Sequence, residues 1–211
     1  PTTRDGVTLV ADYHPVAPKQ GAVVLLHMIP PNWDRTTYPD WFIEQLNARG
    51  LAVLNVDRRG AGDSGGVARD AYDGEAGRYD VEAAAKQLAA DGYGPIGVLG
   101  ASNGTTSMID YAAWAPGEGL PPVAAMGFMT GGTYTENQTD MASVQGIPAT
   151  FVYAKDETAW SSAQQATAPS TWSFHQQDVT GAHGTHLFTN EAAKSAVATA
   201  LVEHYAGVLG E

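Results

Sequence analysis

Short apolar runs rich in β-branched residues alternate with alanine-rich stretches along most of this chain. Seven runs predict strands: Val7–Tyr13, Ala22–His27, Ala52–Asp57, Ile96–Gly100, Val123–Phe128, Ala149–Tyr153 and Trp172–Gln177. Apolar residues at helical spacing predict helices between most of them, at Tyr38–Arg49, Glu75–Ala90, Thr105–Ala115 and Thr189–Tyr205. This alternation predicts an α/β fold, with a mostly parallel central sheet and helices on both faces.

Length and composition indicate a single packed domain. A chain of 211 residues would leave each half small for an α/β fold if it were divided, so we expect one domain over residues 1–211. Its apolar fraction of 44% and charged fraction of 16% are those of a globular protein with a sizeable core.

The charge balance excludes some partners. Lys and Arg number 11 against 23 for Asp and Glu, which gives a net charge of −12. This charge repels nucleic-acid phosphates and anionic lipid surfaces, and no apolar run approaches the roughly 20 residues that cross a bilayer. We therefore expect a soluble protein without a nucleic-acid partner or a membrane span. The chain begins at Pro1 rather than Met, which suggests that a leading segment was removed, and export with a cleaved signal is one reason for such removal.

The chain has no cysteine. This excludes disulfides, zinc–thiolate sites, iron–sulfur clusters and a thiol nucleophile. Catalysis by a nucleophile would have to use an oxygen or a nitrogen instead.

The sharpest local motif is Gly100-Ala101-Ser102-Asn103-Gly104, which stands between a predicted strand and a predicted helix. A strand–turn–helix of this kind holds the Ser backbone in a strained turn, with its Oγ clear of the sheet. Small residues two before and two after let the strand and the helix approach closely, and both are Gly here. The sequence predicts Ser102 as a nucleophile. The alternative is an ordinary glycine-rich turn.

A Ser hydroxyl needs a base within hydrogen-bond reach and a third group that fixes the tautomer of that base. With such a turn the chain order is nucleophile, acid, base. Asp156 follows the predicted strand Ala149–Tyr153 and should lie at the same edge of the sheet as Ser102, so we predict it as the acid. Its neighbour Glu157 is the alternative acid, and a helix-capping or solvated Asp156 is the alternative without a catalytic role.

Two histidines compete for the role of base. His183 lies between small residues in the loop after the last strand, whereas His186 is nearer the last helix and is expected to pack or face solvent. We predict His183 as the base. A metal site formed by His183, His186 and a carboxylate is an alternative that Gly184 and the loop context disfavour.

Backbone N–H groups that stabilise an oxyanion are predicted from position alone. Asn103 directly follows the nucleophile and would supply one. The second would come from the loop after Ala22–His27, where we favour Ile29 over Met28. His27 itself is expected to brace that loop.

At this point the chain resembles the α/β-hydrolase superfamily, and more narrowly its small lidless members of the dienelactone-hydrolase-like and carboxylesterase-like branches. The resemblance spans nearly the whole length. It is carried by the Ser102 motif, Asp5-Gly6-Val7, Leu25-Leu26-His27, Asp57-Arg58-Arg59-Gly60-Ala61-Gly62-Asp63-Ser64, Lys155-Asp156 and Ala182-His183-Gly184. Most members have Gly where Met28 stands, so the oxyanion loop is expected to differ in shape. Dienelactone hydrolases use Cys at the position of Ser102, so their architecture alone is implied.

The sequence therefore predicts a hydrolase of carboxylic esters or related acyl compounds that needs no cofactor or metal. A non-catalytic binding protein on the same fold is the alternative, as are acyl transfer and peptide hydrolysis by the same triad. Five aromatic residues could line an acyl pocket, although such residues more often belong to the core: Trp33, Trp41, Trp160, Trp172 and Tyr134.

Overall fold

A computed structural model describes residues 1–136 and 138–210. Seven strands form one sheet: β1 (Ala11–His14), β2 (Ala22–Leu26), β3 (Ala52–Val56), β4 (Ile96–Ala101), β5 (Val123–Met129), β6 (Ala149–Ala154) and β7 (Trp172–Gln177). Their order is β1-β3-β2-β4-β5-β6-β7, and only the β1–β3 pair is antiparallel among the strand pairs of these residues. The predicted α/β fold with a mostly parallel sheet is confirmed.

Helices cover both faces of the sheet. They are α1 (Asp40–Ala48), α2 (Gly77–Ala90), α3 (Gly104–Trp114), α4 (Ala159–Gln165) and α5 (Lys194–Leu209). Apolar residues of α2 and α3 pack on one face with Val24, and those of α1 and α5 pack on the other with Val23 and Leu25. The inner strands β2 to β6 are buried on both faces, which explains their largely apolar sequences, whereas the edge strands β1 and β7 are partly exposed.

Three segments differ from the predicted elements. The first strand begins at Ala11 rather than Val7, because Thr8 instead pairs with Thr2 in an isolated antiparallel bridge. The last helix spans Lys194–Leu209 rather than Thr189–Tyr205, since residues 184–188 form a separate 3-10 turn. The short helix α4 has too few residues for a clear period and was not predicted.

The carboxyl ends of the parallel strands meet at one edge of the sheet. His27 follows β2, Ser102 follows β4, Thr130 follows β5 and Lys155 follows β6. Ligands of open α/β sheets bind outside this edge. In the described parts of the chain, no helix is both long and apolar enough to cross a membrane.

Candidate active site

Ser102 lies in a tight turn between β4 and α3. Its φ of 50° is in the left-handed region, where a residue with a Cβ is strained, and its N–H donates to Met129 O at 2.8 Å. A Cβ on Gly100 would lie 2.8 Å from the backbone of Thr105, and one on Gly104 would lie 2.6 Å from Leu26 O. The two glycines that flank the motif are therefore required by close backbone packing.

The imidazole of His183 bridges Ser102 and a carboxylate. Its Nε2 is 2.7 Å from Ser102 Oγ, and its Nδ1 is 3.0 Å from Glu157 Oε1. The His183 and Glu157 side chains are 35% and 37% exposed, so this side of the site faces solvent. If Nδ1 carries the proton and donates to Glu157, then Nε2 is free to accept the Ser102 proton.

The carboxylate on the imidazole belongs to Glu157, and the predicted Asp156 is corrected on this point. Asp156 Oδ2 instead accepts a hydrogen bond from the N–H of Gly181 at 2.8 Å. Both residues follow β6 in one turn, and their neighbouring side chains leave that turn in different directions. Asp156 therefore anchors the start of the loop that carries His183, and the longer Glu157 side chain reaches the ring.

His186 takes no part in this bridge. Its ring packs edge-on against Trp33, with 4.8 Å between the ring centroids. Within residues 1–136 and 138–210, no group of three or more His, Asp or Glu side chains is arranged to hold a metal ion.

His27 braces the loop that follows β2. Because the backbone N–H of Arg58 donates to its Nε2 at 2.9 Å, the ring proton lies on Nδ1, which donates to Met28 O at 2.8 Å. Burial, together with the charge of Arg58, lowers the pKa of His27 to about 3. The ring therefore stays neutral and serves as a fixed structural link.

The predicted oxyanion donors are two separate backbone groups, one on Asn103 directly after Ser102 and one on Ile29 in the loop after β2. Among the described residues, none accepts a hydrogen bond from the N–H of Asn103 or of Ile29. Met28 O is held by His27, and the next peptide N–H points the opposite way because the peptide is planar and trans. That N–H belongs to Ile29.

Thr130 connects β5 to the loop of His183. Its φ of 50° is unusual for a β-branched residue, and its Oγ1 accepts from the N–H of Gly184 at 3.0 Å. Its carbonyl accepts from the hydroxyl of Tyr134 at 2.6 Å. Burial raises the pKa of Tyr134 to about 12, although the hydroxyl of Ser102 opposes this, so Tyr134 remains a neutral donor beside Ser102.

Two cavities include neighbours of this arrangement, Tyr134 in one and His186 in the other, but neither is lined by Ser102, His183 or Glu157. A polar cavity of about 460 Å³ is lined by Arg69, Tyr72, Asp73, Tyr134, Thr135 and Glu136. A more apolar cavity of about 250 Å³ is lined by residues that include Trp33, Trp41, His186 and Phe188. Of the five aromatic residues considered from the sequence, Trp33, Trp41 and Tyr134 line these cavities. Trp172 packs on Phe151 in the core, and the partly buried Trp160 packs against the same ring and lines a separate cavity of about 250 Å³.

The fold is shared with hydrolases of known structure. An esterase of Pyrococcus furiosus, Pf2001, superposes with a TM-score of 0.75 at 16% identity, over 99% of this chain and 89% of the esterase. A dienelactone hydrolase of Anabaena variabilis gives 0.70 at 17% identity, over 95% of this chain and 92% of that protein. A monoacylglycerol lipase of Paleococcus ferrophilus gives 0.68 at 14%, over 95% and 99%. This chain has the α/β-hydrolase fold. Neither a protein-family model nor a curated protein sequence matches it.

In this fold Ser102 lies in the turn between β4 and α3, and His183 and Glu157 reach it from the loops after β7 and β6. The sequence did not single out Thr130 or Arg58 for the site. Thr130 precedes Gly131-Gly132, a pair typical of a loop, and Arg58 is one of two adjacent arginines with no visible difference between them in the sequence. Only the contacts that Thr130 and Arg58 make in the folded structure connect them to the site.

Proposed function

We propose that this chain hydrolyses small carboxylic esters or related acyl compounds through an acyl-enzyme intermediate on Ser102. The observation that carries the proposal is the imidazole of His183, whose two nitrogens lie 2.7 Å from Ser102 Oγ and 3.0 Å from Glu157 Oε1. A nucleophile, a base and an orienting acid in hydrogen-bond contact form the arrangement that activates a Ser hydroxyl.

The first half of the reaction acylates the enzyme. Ser102 Oγ attacks the ester carbonyl while His183 Nε2 takes its proton, and Glu157 stabilises the resulting imidazolium through Nδ1–H. The tetrahedral intermediate then collapses, the bond to the alkoxy group breaks, and the imidazolium donates its proton to the departing alcohol.

The second half releases the acid. Water replaces the alcohol, His183 removes a proton from it, and the hydroxide attacks the acyl carbon. Ser102 leaves with the proton returned by the imidazolium, and the enzyme is restored. The backbone N–H groups of Asn103 and Ile29 stabilise the negative charge of both tetrahedral intermediates by hydrogen bonds.

The size of the cavities supports a small substrate. The polar cavity shares Tyr134 with the site, although Ser102 does not line it, and its volume of about 460 Å³ is within the range that holds a small organic molecule. The aromatic cavity of Trp33 and Phe188 is smaller, at 250 Å³. An esterase and a monoacylglycerol lipase among the compared structures favour the same ester chemistry.

The test combines labelling with turnover. A fluorophosphonate probe should label the wild-type chain at Ser102 within minutes, and p-nitrophenyl acetate and butyrate should be hydrolysed faster than the laurate ester. Ser102→Ala is the matched control and should neither label nor turn over. Absence of both labelling and hydrolysis in the folded wild type would contradict the proposal and favour a binding protein on the same fold.

A further inference from the structure

Arg58 is a buried cation behind the nucleophile. Its side chain is completely buried, and it donates to five oxygens: from Nη1 to His27 O, Met28 O and Asn103 Oδ1, and from Nη2 to Ala71 O and Ser107 Oγ. All five acceptors are neutral, and no carboxylate forms an ion pair with Arg58 within the described residues. Burial lowers its pKa to about 10, so it is charged at neutral pH.

The neighbouring Arg59 shows what an ordinary buried arginine does in this fold. It is equally buried, but it pairs with the carboxylates of Asp80 at 2.8 Å and Asp5 at 2.7 Å. Its charge is therefore compensated locally. Burying a charge without an ionised partner is costly, which makes the neutral surroundings of Arg58 unusual.

The contacts of Arg58 converge on the two predicted oxyanion donors. One nitrogen, Nη1, lies 3.3 Å from Met28 O and 3.0 Å from Asn103 Oδ1. Met28 O belongs to the same peptide unit as the N–H of Ile29, so its two donors, His27 Nδ1 at 2.8 Å and Arg58 Nη1 at 3.3 Å, together fix the plane of that unit and the direction of its N–H. A charged donor on the carbonyl also polarises the peptide, which strengthens the N–H at the other end.

We infer that Arg58 is a positioning residue that holds the Met28–Ile29 peptide and Asn103 at a fixed separation, and so builds the oxyanion hole from behind. The inference rests on the proposed ester hydrolysis, since only a reaction with a developing oxyanion uses such a hole. Arg58 forms no ion pair among the described residues, although the charge of Asp80 favours its charged form. Because it acts on the transition state, its loss lowers kcat more than it raises KM.

The test compares an ester with its thiono analogue, in which sulfur replaces the carbonyl oxygen. Sulfur is a poorer hydrogen-bond acceptor, so an intact hole favours the oxygen ester. The ratio is the kcat/KM of the oxygen ester divided by that of the thiono ester, and it does not depend on the fraction of active enzyme. Misfolding alone therefore leaves this ratio unchanged. Arg58→Lys should lower kcat for the oxygen ester by about ten- to a hundredfold with KM within about threefold, and should lower the ratio several-fold.

Arg59→Lys is the matched control, because it makes the same change at the adjacent, equally buried arginine. It should leave the ratio and kcat per titrated site unchanged. If Arg58→Lys does not fold, Asn103→Ala decides the question, since it removes one contact of the guanidinium and leaves the backbone N–H in place. It should lower the ratio in the same direction, by a smaller factor.

An unchanged ratio in the Arg58 variant, or in Asn103→Ala where only that variant folds, would overturn the inference. An equal fall in Arg59→Lys would also overturn it, because the effect would then follow from any lost buried guanidinium. Both results leave ester hydrolysis by the wild type intact. A folded wild type that hydrolyses no ester and is not labelled would instead remove the proposed function, and with it the inference.

Discussion

The two sides of the candidate site are built differently. The nucleophile side, formed by Arg58, Ser102 and Asn103, is almost completely buried, and its contacts are made by backbone atoms and fixed buried side chains. The acid side, formed by Glu157 and His183, is about one-third exposed and stands on two loops. Surrounding structure determines the conformation on the first side, whereas a few side-chain hydrogen bonds determine it on the second.

This difference explains where prediction from sequence worked. On the nucleophile side, the strained turn at Ser102 needs glycines at fixed positions, and those glycines are visible in the sequence. On the acid side, Asp156 and Glu157 are adjacent carboxylates in one turn, and spacing cannot distinguish them. Mutations on the two sides should therefore have different consequences.

The largest effects are expected at Ser102 and His183, whose hydrogen bond connects the two sides. Ser102→Ala and His183→Ala should each lower kcat by about four to six orders of magnitude, because each removes a group that acts together with the other. Circular dichroism should show an unchanged fold. The matched control is His186→Ala, which should stay within about threefold of wild type, since its ring packs on Trp33. The reverse ranking of the two histidines would exchange their roles.

The next effect separates the two carboxylates of the acid side. Glu157→Gln should lower kcat by about two to four orders of magnitude, because the amide can hold the imidazole in the wrong tautomer. Asp156→Asn should cost less than about tenfold, since it weakens only the anchor on the N–H of Gly181. Measured kcat values for both variants decide between them, and a dead Asp156→Asn beside an active Glu157→Gln would return the acid role to Asp156.

Acid pH should affect two histidines near the site differently, the partly exposed His183 and the buried His27. The imidazole of His183, which is about one-third exposed, must be neutral to act as the proposed base, so the profile of kcat/KM against pH should have an acid limb. The buried His27, with its pKa lowered to about 3 by burial, should add no second proton to this limb. A slope of two protons would show that His27 titrates with activity, and NMR titration of the imidazoles provides the direct check.

The lowered pKa of His27 also makes the stability of the fold depend on pH. The unfolded chain protonates His27 near its ordinary pKa of about 6.5, whereas the folded chain does so only near 3. Below about pH 6.5 the unfolded state binds more protons, so this residue makes the free energy of unfolding fall as pH falls through that window. Urea titrations at pH 7 and pH 5 measure the difference.

The smallest effect is expected at Thr130, where the two sides meet. Thr130→Val keeps the shape but removes the hydroxyl that accepts from the N–H of Gly184, and should cost about 1–2 kcal/mol of stability and a few-fold in kcat. Thr130→Ser keeps the hydroxyl and should retain most of the activity. Equal losses in both variants would mean that the β-branched shape, rather than the hydrogen bond, matters at this position.

The sequence by itself determined the elements that local chemistry specifies. Apolar runs buried on both faces predicted the parallel strands, and Gly100 and Gly104 predicted the turn that presents Ser102. The loop position of His183 between small residues distinguished it from His186. In each case the responsible pattern lies within a few neighbouring residues, because it reflects backbone geometry and local packing.

The tertiary structure alone decided which residues meet across the chain. Glu157 rather than Asp156 faces His183 because two loops distant in sequence fix the direction of each side chain. Arg58 and Arg59 are adjacent and equally buried, yet one meets carbonyls behind the nucleophile and the other meets carboxylates. Both pairs of residues lie in the segments that follow β3 and β6, so their partners depend on which distant segments pack beside them.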